Sequence, residues 1–193
     1  MHRLFVIGGM VASVILIAFG VAAIVMGTTG RSDVRTELAR ENIVGTPDST
    51  IPNQKVDTGD EARAFAAVMR KHTLEITGGQ TFAQMGRFLD AAGKPTSDEA
   101  QAAKDPKSGQ PVENQLRQVW VTSTALSTAL NTSYFAERVS VFSIVMGIAL
   151  FLTGIGFLVL TLGVLRQGAP LVAARRQPEP EMEPERRREP ALV

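Results

Sequence analysis

The chain contains no cysteine, so disulfides, cysteine-ligated metals and thiol nucleophiles are excluded. It has one Trp, one Tyr and two His in 193 residues, and its net charge is only +1. Near-neutrality removes the electrostatic footprint of a polybasic nucleic-acid binder, and no nucleic-acid partner is expected. The scarcest feature is local. No charged residue occurs between Arg3 and Arg31 or between Arg138 and Arg166. The mean hydropathy of +0.08 averages over these gaps and hides them.

Both gaps are dominated by Leu, Ile, Val, Phe and Met, and each exceeds the roughly 20 residues needed to cross the hydrocarbon of a bilayer. All ten prolines lie outside them. The first segment follows a very short basic start and lacks a clear small-residue cleavage site, so it reads as an uncleaved signal anchor. The basic residues near the outer ends of the spans are Arg3, Arg166, Arg175 and Arg176. They favour both termini in the cytoplasm.

The fold class expected is therefore an all-α membrane protein. Two transmembrane helices flank a small helical extracytoplasmic domain, and a disordered tail follows. The divisions are a cytoplasmic N-terminus at 1–3, transmembrane helix 1 at 4–27, a loop domain at 28–139, transmembrane helix 2 at 140–165 and a Pro/Glu/Arg tail at 166–193. Gly168 and Pro170 are expected to stop the second span. No intramembrane ionisable residue marks an ion path. Small residues recur at helical spacing, with Gly8/Ala12, Gly9/Ser13, Ala23/Gly27 and Ser143/Gly147 four apart, and Gly147/Gly154 and Gly156/Gly163 seven apart. Such stripes allow close backbone approach, either between the two spans or between copies of the chain.

In the loop, Ser32 is expected to cap a short helix to about Ile43. Residues 45–53 read as a turn-rich linker. Thr58-Gly59-Asp60-Glu61 fits a capping box for a helix to about Thr77, with Phe65, Val68, Met69, His72 and Ile76 on one face and Gly78-Gly79 as its stop. Thr81-Phe82-Ala83-Gln84 predicts a second capped helix to about Ala92, bearing Phe82, Met85, Phe88 and Leu89. A short acidic helical turn is expected at 97–104, then a turn at Asp105–Gly109. Asn114 is a candidate cap for a helix carrying Leu116, Trp120, Leu126, Leu130 and Tyr134. That helix either continues from about 113 into the second span or breaks at Asn131-Thr132-Ser133. Those three residues also form a glycosylation sequon, read as a chance match.

Catalytic chemistry has little to work with. In a two-span hairpin His2 and His72 fall on opposite sides of the membrane, so one chain cannot assemble a two-histidine-one-carboxylate iron site. His72 with Glu75 supplies at most half of a shared metal site. No nucleophile elbow or phosphate loop is present. No cofactor or metal is expected.

The runs Arg70–Arg87, Ala103–Val112 and Trp120–Tyr134 resemble an uncharacterised family of actinobacterial two-span membrane proteins, often labelled aromatic ring-opening dioxygenases. The resemblance spans most of residues 1–165. It implies a bacterial plasma membrane and a loop facing the cell envelope, and it supplies no catalytic residues. The function expected is a non-enzymatic integral plasma-membrane protein whose partners are the lipid bilayer and a protein or envelope component. The candidate contact surface is Phe65, Met69, His72, Phe82, Met85, Phe88, Trp120 and Tyr134. Gly8, Ala12, Gly147, Gly154, Gly156 and Gly163 are the candidate helix-packing residues. A homo-oligomeric scaffold or pore is the alternative, and a ring-opening dioxygenase the third reading.

Overall fold

A computed structural model of the chain describes the backbone of residues 2–174 and the side chains of residues 4–163. Three α-helices carry it: α1 (His2–Arg40), α2 (Gly59–Ile76) and α3 (Gln115–Ala174). A minimal antiparallel pair, β1 (Phe88–Leu89) and β2 (Pro95–Thr96), lies between α2 and α3. α1 and α3 are long and apolar enough to cross a membrane.

The first helix does not restart at Ser32 as expected but runs unbroken to Arg40. With no proline in the segment, nothing forces a break. Thr28 returns its hydroxyl to the carbonyls of Ile24 and Val25, which holds the turn. α3 is likewise continuous through 131–133. Asn131, Thr132 and Ser133 each bond to the carbonyl four residues back, so their competing polar groups are absorbed by the helix. The helical backbone also passes Gly168 and Pro170, correcting the expected stop. A proline removes one ladder bond and kinks or breaks a helix unless its surroundings compensate. The rest of the expected tail, 175–193, lies outside the described residues.

The chain divides into two compact units, residues 1–19 with 150–193, and residues 20–149. In the first unit Ser13 is fully buried and donates to the Gly9 carbonyl. A Cβ on Gly9 would come within 2.6 Å of Thr161, and one on Gly154 within 2.7 Å of Ile17 and 3.0 Å of the Ser13 carbonyl. Small residues therefore let α1 and α3 touch along their backbones.

The second unit repeats that contact and adds the packed domain. Ser143 donates to the Ala23 carbonyl at 3.0 Å. A Cβ on Gly147 would meet the Gly20 carbonyl at 2.7 Å, and one on Gly27 the Ser140 carbonyl at 2.7 Å. Above this contact, Leu38 of α1, Val56 of the 41–58 connection, Ala62 and Ala66 of α2, and Leu130 of α3 form one buried cluster. The 41–58 connection, turn-rich as expected, is folded onto it. Val44 bridges Lys55, the Val56 amide donates to Ile43, and Asn42 and Asn53 adopt positive φ.

α2 starts and stops as its residues dictate. Thr58 and Glu61 form the reciprocal capping box. Gly78 and Gly79, both at positive φ, end the helix after the Thr77 cap. The helix expected at 81–92 does not form. Gln84 does reach back to the Thr81 amide, but the Phe82 and Met85 carbonyls accept from Arg117 of α3, and Asn114 donates to the Gly86 carbonyl. Acceptors that would continue a helix are spent on tertiary contacts. Gly86 then lets Thr96 approach so closely that a Cβ would lie 2.5 Å from its amide. β1 sits between β2 and the chain at 112–113, with Leu89 donating to Val112. The acidic segment at 97–104 shrinks to a 3-10 turn at Glu99–Gln101 capped by Asp98. The Asp105–Gly109 turn forms as expected, with the Asp105 carboxylate accepting from Lys107 and Ser108.

Candidate functional site

The candidate contact residues separate into two groups. Met85, Phe88 and Trp120 are 2%, 5% and 6% exposed, so they belong to the interior and not to a contact surface. The Trp120 indole N–H donates to the Gln80 carbonyl at 2.8 Å, and Arg70 lies over its ring. Met85 and Phe88 were expected on a helix at 81–92 that does not form, so their burial does not follow from helical spacing.

The others line or flank surface grooves. One groove of about 490 Å³ runs between α2 and α3 and includes Met69, His72, Ile76 and Leu126. A second, of about 430 Å³, is formed by the end of α1 with Leu38, Phe65, Met69, Leu126 and Leu130. The two share Met69 and Leu126 and form one apolar trough. Ile76 and Leu126 are 60% and 51% exposed within it. Thr73 of α2 donates to Ser123 of α3 at 2.6 Å and joins the trough walls. Phe82 lies outside the trough, beneath Arg117 at 3.8 Å from its ring centroid.

His72 is paired rather than poised. Its Nε2 is 2.9 Å from Asp48 Oδ2, an oxygen that also accepts from Lys71 at 2.9 Å. Those two bonds, with a third from Thr46, hold the Asp48 carboxyl well below the usual carboxylate range. The trio pins the 41–58 connection to α2. Glu75 lies 3.9 Å from Lys71 Nζ. Among the described residues no three His, Asp or Glu side chains converge as a metal site.

Sequence reasoning missed Glu137, a carboxylate of α3 that bonds to α1 and α2. It is 8% exposed. Its Oε1 accepts from Arg31 Nε at 2.9 Å and Arg35 Nε at 2.8 Å, and its Oε2 accepts from the Gly59 amide at 2.6 Å. One carboxylate thus ties α1, α2 and α3 together. Burial alone would raise its pKa, but the bonds from Arg31, Gly59 and Arg35 outweigh that and hold it at about 2. Nearby, Arg138 donates to Asp60, and Arg63 and Arg138 both lie over the Tyr134 ring. Tyr134 is half-buried in this network. Phe135 and Phe142 are 67% and 64% exposed. The only sequence signal for Glu137 was the i,i+4 pair Arg31/Arg35, which has no acidic partner of its own on that face.

Of the candidate packing glycines, Gly147 and Gly154 are used within the chain, as described. Added Cβ atoms at Gly8, Gly156 and Gly163 meet nothing within 4 Å, and Ala12 is exposed. Among the described residues, these four do not pack the two helices against each other.

No family model, curated protein or solved structure matches the chain.

Proposed function

We propose that the chain is an integral plasma-membrane protein with both termini cytoplasmic, whose extracytoplasmic helical domain holds a partner membrane protein or envelope component in the apolar trough. The role is binding rather than catalysis. The observation that carries the membrane part is the exposure of apolar side chains along both long helices. Phe5, Met26, Leu152 and Leu160 are 81%, 73%, 60% and 66% exposed. Lipid covers such a surface without further cost, whereas water does not. The trough supports the binding part, because Met69, Ile76 and Leu126 offer apolar contact between two helices held by the Thr73–Ser123 bond.

The alternative of a homo-oligomeric scaffold is favoured by the outward glycines. One experiment separates the two. A photo-crosslinking residue is placed at Ile76, Leu126 or Gly156 of the full chain in cells. The binding reading expects a heterologous adduct from the first two positions. The scaffold reading expects a self-adduct from Gly156. Absence of any adduct at Ile76 and Leu126 above an exposed control at Ala83 defeats the binding role. A topology reporter inserted after Gln110 reads out orientation, and a cytoplasmic signal there overturns the proposed topology.

A further inference from the structure

A small cleft of about 140 Å³ opens where α1, the start of α2 and α3 meet, lined by Arg31, Arg35, Asp60, Tyr134, Arg138 and Val141 among others. Three guanidiniums face two carboxylates there, leaving a surplus of one positive charge. Glu137 is spent on internal bonds through both oxygens. Its bonds to the arginines use the two Nε–H groups, so both guanidiniums keep their terminal NH2 groups for another acceptor. The Arg31 and Arg35 side chains are 44% and 41% exposed, and that of Arg138 is 54% exposed. The carboxylate therefore acts as a post that fixes two cationic forks side by side. Guanidinium forks held in this way suit the oxygens of a phosphate.

The place of the cleft in the chain defines the phosphate. Arg31 is the first charged residue after one charge-free segment and Arg138 the last before the other. Val141 forms the cleft's apolar wall, and Phe142 beside it is 64% exposed. A ligand here needs an anionic head and an apolar continuation. We propose that the cleft binds the phosphate of an anionic phospholipid in the bilayer that α1 and α3 cross, which rests on the membrane reading above. Arg31, Arg35 and Arg138 contact the phosphate, and the acyl part lies along Val141 and Phe142.

The test uses the full chain purified in neutral detergent and mixed with equal amounts of phosphatidylglycerol and phosphatidylcholine. Retained lipid is counted by native mass spectrometry. The unaltered chain is expected to retain phosphatidylglycerol in about fivefold excess. R35Q and R138Q, each checked for unchanged helicity, should reduce the excess to below about twofold, while K107Q leaves it intact. Equal retention of both lipids by the unaltered chain overturns the proposal without recourse to any variant, as does an excess that survives both arginine substitutions. Displacement of the lipid by inorganic phosphate would assign the cleft to a soluble anion and equally overturn it. Alkaline extraction of membranes in parallel isolates the other failure: release of the chain into the supernatant brings down the membrane reading itself.

Discussion

At the scale of single residues, Glu137 decides most. Its folded pKa of about 2 lies below the ordinary 4.5. A depressed carboxylate contributes stability that is present above the ordinary value and lost as pH falls through the folded one. The contribution should therefore fade between about pH 5 and pH 2. E137Q keeps the shape but removes the charge, leaving Arg31, Arg35 and the Gly59 amide poorly matched. It should cost about 2 kcal/mol near neutral pH. In thermal melts of the detergent-solubilised chain, the gap between unaltered protein and E137Q should narrow as pH drops from 5 to 2. A gap that stays constant would show that the charge is not what stabilises. Asp48 is also depressed and remains in both proteins, so the comparison cancels its share. The sequence hid this residue for a simple reason. Glu137 stands beside Arg138, and a neighbouring pair of opposite charges looks like solvated surface. Only the arrival of α1 turns one of the two inwards.

At the scale of elements, local signals were legible where they act locally. The Thr58–Glu61 box, the Gly78-Gly79 stop and the Asp105–Gly109 turn each depend on residues within a few positions, and each forms as read. The segment 81–92 was misread because its outcome is set by Arg117 and Asn114, about 30 residues away. The small-residue stripes were legible as packing surfaces but not as to partner. Ala23, Gly27, Ser143 and Gly147 face one another within the chain, whereas Gly8, Gly156 and Gly163 face no described neighbour. The lack of cysteine makes this directly measurable. An A23C/S143C chain should oxidise to an intramolecular disulfide, since those positions adjoin. Adding G147L should suppress the crosslink, because a side chain there meets the Gly20 carbonyl and Ile24. G156L should leave it unchanged. Equal crosslinking in all three would mean that the two helices are not held together by this contact.

At the scale of the whole molecule, the two charge-free segments made the long helices and their connecting domain readable, but not how that domain is closed. Its closure comes from long-range pairs, Thr73–Ser123, Arg117–Met85 and Glu137–Gly59, which no periodicity announces. The last of these makes the start of one helix depend on another. The Gly59 amide opens α2, yet its acceptor belongs to α3, and a Cβ there would lie 2.8 Å from the Tyr134 backbone. The first turn of α2 is therefore completed by α3, through a carboxylate that two arginines of α1 hold in place. Amide exchange should report this dependence: the Gly59 proton, although in a first turn that ordinarily exchanges fast, should be as slow as the helix interior, and E137Q should release it to the rate of a frayed end.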